Sequence, residues 1–440
     1  MTTPICDYIR RYTDSDAARM HMPGHKGKNL IGFEGHDITE IAGADSLFEA
    51  DGIIRESEKN ASTLFGCPTF YSTEGSSLSI RAMLYLMQLS KSGRMKIAAG
   101  RNAHKVFLSA AALLDFDIDW LCPEEGSYLS YNITPEYVED YLRSADELPR
   151  AVYLTSPDYI GNELDIGKIA DVCHRYGVML LVDNAHGAYL RYLPKSRFPM
   201  DLGADMCVSS AHKTLPAMTG AAYLHIASEH SEFLANAKDA MMMFATTSPS
   251  YVILESLDAV NAYLEDYPQR LAEFIPKVDK FKNKLARRGF AMMVGDEPLK
   301  VSIMPKAYGY TGTELAGILE SNNIFPEFAD PDFLVMMLTP ETSAEWMDRV
   351  VKILGDTPRR DPIYSLPPKI TLPEKRMSVR EASMTPRISA NVDDAAGKVL
   401  AAVAIGCPPA VPVVVSGEVI DESSIEVFRY YGIDKCFIVK

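Results

Sequence analysis

The chain has 440 residues, room for two or three domains of ordinary size, and its 47% hydrophobic and 23% charged residues argue against disorder, collagen or coiled coil. Its 44 basic and 59 acidic residues leave a formal charge of −15. A surface of that sign repels nucleic-acid phosphates and anionic lipid, which makes both poor partners and mildly favours a cationic small molecule.

Up to about residue 55 the chain is polar and glycine-rich and carries the cluster His21-Met22-Pro23-Gly24-His25-Lys26-Gly27, which reads as an arm. From Ser57 onward, short apolar runs alternate with amphipathic stretches, the pattern of a mostly parallel sheet flanked by helices. The runs are Met95 to Ala99, Phe116 to Leu121, Ala151 to Thr155, Gly177 to Val182, Met206 to Ser209 and Ala221 to Ile226. Thr134-Pro135 predicts a helix start, and Asp165 with Gly177 brackets a second helix. A long helical stretch is expected over Ser250 to Arg288, leading into a small α/β domain. There, Leu299 to Met304 and Phe333 to Leu338 read as strands, and the capping boxes Thr311 with Glu314 and Thr342 with Glu345 predict a helix after each. Prolines 358, 362, 367, 368 and 373 make Thr357 to Pro373 an extended connector, followed by a last helix expected near residues 388–404. The expected division is an arm over 1–55, a large domain over 56–288 and a small domain over 289–440.

The seven cysteines, at 6, 67, 122, 173, 207, 407 and 436, form no CxxC pair and suit a reducing compartment, most simply as small buried hydrophobes. Met1 to Arg11 already holds Asp7, Arg10 and Arg11, and Val399 to Val415 is broken by Gly406, Pro408, Pro409 and Pro412. The expectation is therefore a cytoplasmic protein with neither a leader nor a spanning helix. No metal-binding pattern is present, and none is expected.

The sharpest chemical feature is Ser209-Ser210-Ala211-His212-Lys213-Thr214 at the exit of an apolar run. A lysine at the carboxyl end of a buried parallel strand is placed where α/β sheets build sites, and its amine can hold an aldehyde cofactor as a Schiff base. Such a cofactor needs an anion at its ring nitrogen. Asp183, ending the run before the Lys213 strand, supplies one, although a strand-end carboxylate can also be a simple cap. Gly75-Ser76-Ser77 before an amphipathic run offers backbone N–H groups to a phosphate, or serves only as a helix start. His104 and His186 each follow an apolar run and are open to either a stacking or a purely structural role.

Together these motifs resemble the pyridoxal-phosphate enzymes of fold type I, and specifically the ornithine/lysine/arginine decarboxylase family. His-Met-Pro-Gly-His-Lys-Gly from His21, Asp37-Ile38-Thr39-Glu40, Arg101-Asn102-Ala103-His104-Lys105, Asp183-Asn184-Ala185-His186-Gly187, Ser210-Ala211-His212-Lys213 and Thr246-Thr247-Ser248-Pro249-Ser250-Tyr251 stand in the family's order. Pro408-Pro409, Val411-Pro412 and Ser416-Gly417-Glu418 look like its C-terminal signature. The resemblance implies that Lys213 carries pyridoxal 5'-phosphate, Asp183 pairs with the pyridine nitrogen and His104 stacks on the ring. Gly75, Ser76, Ser77, Ser210 and His212 would hold the phosphate end, with Thr247 reaching the phosphate of a neighbouring subunit and His186 beside the cofactor. It implies a homodimer with shared sites, without the receiver-like N-terminal domain of larger members. The sequence departs from the pattern at Asn184, Gly220 and Cys407-Pro408-Pro409-Ala410, which bears on substrate identity.

The expected activity is decarboxylation of arginine, lysine or ornithine, with His212 or Lys213 returning the proton to Cα. Glu418 and Asp45 are the candidates to meet the substrate's cationic end. Transamination, β-elimination and a non-enzymatic paralogue are the rival readings.

Overall fold

The computed structural model describes the chain except residues 125, 294, 296, 370 and 403–410, so Cys407-Pro408-Pro409-Ala410 lies outside the described residues. Every apolar run read from the sequence between residues 95 and 226 is a strand. In chain order the strands are β1 (Thr69–Ser72), β2 (Lys96–Gly100), β3 (Asp117–Leu121), the short pair β4 (Gly126–Ser127) and β5 (Ser130–Tyr131), then β6 (Ala151–Thr155), β7 (Met179–Asp183), β8 (Met206–Ser209) and β9 (Ala222–Ile226). Seven of them form a mostly parallel sheet of order β1-β9-β8-β7-β6-β2-β3, with β9 antiparallel to both β8 and β1. All four residues of β8 and all five of β9 are buried, which is why these strands read as mainly apolar runs, Ser209 and His225 being their polar members. β1 was not legible: Thr69-Phe70-Tyr71-Ser72 is four residues long and half polar.

By its contacts the chain divides into two compact units, Met1–Gly93 with Ile166–Leu271, and Arg94–Asp165 with Ala272–Lys440. In the first, the segment read as an arm contains a helix, α1 (Pro4–Thr13), whose first N–H groups, Ile5 and Cys6, both donate to Asp258 at 2.9 Å. α2 (Ile53–Phe65) follows. Between them and the sheet lies a buried polar network, in which the Tyr71 hydroxyl meets Ser57 Oγ and Asn261 Nδ2, each at 2.8 Å. The stretch expected as one helix from Ser250 to Arg288 is two, Tyr251–Tyr263 and Tyr267–Arg287. Pro268 accounts for the break, since it has no N–H to extend the first helix but sits without cost in the first turn of the second.

In the second unit, α4 (Lys105–Leu114) follows β2, and Thr134 caps the helix Pro135–Ser144 as read, accepting from Tyr137 N at 3.2 Å; α3 (Gly75–Leu89), in the first unit, starts beyond β1. An antiparallel sheet of order β10-β11-β13-β12 is built from Ala291–Met292, Lys300–Met304, Leu334–Met337 and Phe328–Ala329 respectively. The Thr311 and Glu314 capping box is formed. The second box is not formed: Ser343, not Thr342, caps the helix Ala344–Asp356, accepting from Trp346 N at 3.2 Å, while the Thr342 hydroxyl accepts from Thr339 N at 3.1 Å.

The helix expected near 388–404 is absent among the described residues. Arg387–Asn391 is instead β14, paired antiparallel with β15 (Lys435–Val439), and the last helix is Glu422–Tyr430, capped by Asp421. A strand whose partner lies at the far end of the chain leaves little local signature.

Candidate active site

β7 and β8 run parallel with Asp183 opposite Val208, so their carboxyl ends come out together. Beyond β8, Ser210 leads into a single helical turn, Ala211–Thr214, that carries Lys213. Beyond β7, Asn184 N donates to Val208 O and Asn184 Nδ2 to Ser209 Oγ, both at 2.9 Å, stitching the two exits. The outcome is a buried Asp183, accepting Ala185 N at 3.1 Å, and Lys213 Nζ 3.0 Å from His186 Nε2. Thus three of the residues singled out from sequence stand on two adjoining strand exits.

The turn is held from the opposite side. His212 Nδ1 lies 2.9 Å from the carbonyl of Ala221, and because a carbonyl only accepts, that nitrogen carries the proton. The neighbouring Gly220 carbonyl accepts Gly75 N at 2.7 Å, so Gly220-Ala221 joins the first turn of α3 to the Lys213 turn. Gly220 has φ +101, and a Cβ there would lie 3.0 Å from Thr73 O; the backbone itself requires glycine at this position.

α3 begins with its N-terminus uncapped by a side chain, because Glu74, at the cap position, spends its carboxylate on Thr246 N at 2.8 Å. Gly75, at φ +71, has open space where a Cβ would be. Its amide is committed to Gly220, which leaves the amides of Ser76 and Ser77 as the α3 donors. Ser210 Oγ is buried and has no hydrogen-bond partner among the described residues. Thr247 is exposed on the loop after Thr246.

In the second unit His104 is the N-cap of α4, with Nδ1 accepting Val106 N at 3.2 Å. The two carboxylates considered for substrate binding have other occupations. Glu418 is buried against Arg101, with Oε1 3.0 Å from Nη1 and Oε2 2.8 Å from Nη2. Asp45 accepts the amides of Ser46, Asp51, Gly52, Ile54 and Arg55 at the start of α2. Burial alone would raise its pKa, but those N–H groups outweigh it and hold the carboxyl below its ordinary value.

Sequence reasoning passed over Arg101, although it opens the Arg101-Asn102-Ala103-His104-Lys105 motif; a buried guanidinium needs a carboxylate, and its partner stands too far along the chain to be seen locally. The described cysteines form no disulfide. Burial pushes the thiols of Cys67 and Cys173 up to about 12, as befits inert core residues. Among the described residues, no cluster suited to a metal ion occurs and no helix is long and apolar enough to cross a membrane.

The family model for the Orn/Lys/Arg decarboxylase major domain matches residues 3–295, a span that contains Asp183, His186, Lys213 and His104. The chain belongs to the Orn/Lys/Arg decarboxylase family. It is a pyridoxal-phosphate-dependent decarboxylase with the fold type I architecture expected from its sequence. Within this family it is 28% identical to an arginine decarboxylase of Bacillus subtilis, over 96% of this chain and 92% of that one. It is 27% identical to a second B. subtilis protein, named as the uncharacterized protein YaaO, over 97% and 93%. The fold is that of the Francisella novicida lysine decarboxylase LdcF, with a TM-score of 0.81 at 17% identity, covering 100% of this chain and 81% of the other.

The residues present fit pyridoxal phosphate. An aldehyde asks for an amine, a pyridinium for a buried anion, and a phosphate for N–H and O–H donors. Lys213, Asp183, the α3 amides of Ser76 and Ser77, and the orphaned Ser210 hydroxyl match those demands in turn.

Proposed function

We propose that the protein removes carbon dioxide from arginine, with Lys213 as the residue that takes the cofactor and Asp183 as the partner of its ring nitrogen. The observation that carries the reading is the pairing of Lys213 Nζ with His186 Nε2 at 3.0 Å on the strand exit beside Asp183. Arginine is favoured because full-length relatives named arginine decarboxylase are similar along 96% and 97% of the chain.

The cofactor, when bound, supplies an electron sink for the pair released as the bond from Cα to the carboxylate breaks. Around it each residue has a task. Asp183, ionised in a buried position, holds a proton on the ring nitrogen. His186 Nε2 accepts a proton from, or returns one to, Lys213 Nζ, so the amine can change between its charged and nucleophilic forms in place. Ser210 Oγ and the amides of Ser76 and Ser77 hold the phosphate end, where the helix dipole of α3 adds to the attraction. The backbone-tied His212 fixes the turn that presents Lys213, and its Nε2 or Lys213 Nζ carries the proton to Cα. His104 would contact the ring, and Thr247, exposed on its loop, would serve the phosphate of a second subunit in a cytoplasmic homodimer.

Product mass spectrometry after offering arginine, lysine and ornithine separately tests the proposal: agmatine and carbon dioxide from arginine are expected. Cadaverine or putrescine instead would move the substrate assignment, and a keto acid without carbon dioxide would identify a transaminase. In the Lys213→Ala variant both turnover and the borohydride-reducible cofactor adduct are expected to vanish; retention of both at wild-type level overturns the role of Lys213.

A further inference from the structure

We infer that the buried ion pair between Arg101 and Glu418 is a positioning device for His104, fastening the C-terminal segment to the loop that carries the imidazole. The inference rests on the reading above that His104 contacts the cofactor ring.

Arg101 stands three residues before His104, in the short connection from β2 to α4. The backbone of that connection is pinned by Arg101 N donating to Leu121 O at 3.1 Å and Ala103 N to Gly100 O at 3.0 Å. Its guanidinium reaches the other way. Besides both oxygens of Glu418, Arg101 Nη2 donates to Val413 O at 2.8 Å, and the group lies 4.8 Å from the centre of the Trp120 ring. Glu418 Oε2 also accepts Val415 N at 2.8 Å, so the carboxylate is fixed to its own segment before it grips the arginine. The two side chains are 1% and 4% exposed.

The same C-terminal substructure holds the other end of α4. Arg376 N and Met377 N both donate to Gly417 O, at 2.9 and 3.1 Å, and this strap continues into the helix Val379–Met384. From there Arg380 Nη1 donates to Ala112 O at 2.8 Å and Leu113 O at 3.0 Å, which are carbonyls of the last turn of α4. His104 caps the first turn. Arg380 therefore holds the last turn of α4, and Glu418 the loop that leads into its first.

Cohesion alone does not call for a buried ion pair, because two well-packed apolar side chains stabilise a core as well or better. What the planar fork adds is direction, since a sideways shift of Arg101 breaks both bonds to Glu418 together. A directional lock three residues from an imidazole that would contact the cofactor ring has a use that an apolar contact does not.

The experiment follows from that distinction. Glu418→Gln removes the charge, and the double variant Arg101→Met with Glu418→Leu replaces the pair by apolar volume, so that a folded protein is available even where the single change unfolds it. Each is prepared as holoenzyme. The circular dichroism of the cofactor band, which reports ring orientation, is read together with kcat, KM and thermal midpoint. In the cofactor-free protein, the rate of His104 modification by diethyl pyrocarbonate is followed by mass spectrometry.

The double variant is expected to fold, to lose much of the cofactor dichroism, and to lower kcat by about tenfold or more with KM within about twofold. His104 modification is expected to be faster by about threefold or more, on the same scale. A folded double variant with wild-type dichroism, kcat and His104 reactivity overturns the inference. His104→Ala serves as the control: if it leaves the dichroism unchanged, the reading of His104 as a cofactor contact has failed, whereas the reactivity measurement still decides whether the pair positions the ring.

Discussion

Asp183 is 2% exposed at the last position of a strand, where an ionised carboxylate persists only if something compensates its charge. If that something is a protonated ring nitrogen, Asp183→Asn keeps the shape and the Ala185 N–H bond while removing the charge. The expected result is a fall in kcat of about 10² to 10³, the usual effect of deleting one preorganised electrostatic contact, with the thermal midpoint little changed. Steady-state kinetics beside a melting curve checks it, and an unaltered kcat defeats it. The strand ends at Asp183 and at Ser209, four residues before Lys213, were legible because each closes an apolar run, a mark that a few consecutive residues carry. The partners of Glu418 and Asp45 carry no such mark, because an acidic side chain looks the same in sequence whether it meets substrate, an arginine or a row of amides. For Asp45 the two possibilities separate cleanly. Asp45→Ala is expected to cost about 1 to 2 kcal/mol, as loss of a helix-cap carboxylate does, measured by urea unfolding, with KM unmoved. A substrate contact would raise KM and leave stability alone.

At the scale of elements, the strap that includes Gly417 is held by its backbone. Gly417 has φ +91, and a Cβ placed on it would lie 2.3 Å from Met377 O, a contact that no rotamer relieves because the obstacle is main chain. Gly417→Ala is therefore expected to destabilise by more than about 2 kcal/mol, adding left-handed strain to a steric clash, and to raise the susceptibility of residues 372–378 to limited proteolysis. An unchanged urea midpoint would show that the strap is not held as described. Punctuation of the same kind explains what could be read here. Thr134-Pro135 and the Thr311 and Glu314 box declare their helices through groups three residues apart. β14, by contrast, is specified by β15, whose residues lie at the opposite end of a long connection, so Arg387 to Asn391 presents no local pattern by which to know it. The same limit hid the Arg101 and Glu418 pair.

For the molecule as a whole, two buried groups make opposite demands on pH. His225 in β9 is fully buried, with Nδ1 2.9 Å from Thr69 Oγ1; burial first, and the Arg191 charge second, depress its pKa from 6.5 to about 3. Between those values the unfolded chain binds a proton that the folded one refuses. Stability is therefore lost as pH falls below 6.5, at about 1.4 kcal/mol per unit, or about 2 kcal/mol by pH 5. Asp330 is the reverse: burial raises its pKa from 3.8 to about 6, the folded chain holds the extra proton, and the stability this contributes below 3.8 is lost as pH rises to 6. From pH 6 down to 3.8 the two slopes oppose, so the wild-type curve understates each. The substitution His225→Gln, a polar residue that does not titrate, separates them. Its cost relative to wild type is expected to be greatest at pH 7 and to shrink by about 2 kcal/mol at pH 5, because the wild type alone bears the growing penalty of keeping residue 225 neutral. Urea unfolding at pH 7, 6 and 5 measures the difference directly. A cost independent of pH would mean that the folded protein protonates His225 as readily as the unfolded chain does, and that the site between Phe65, Phe198 and Tyr223 admits water.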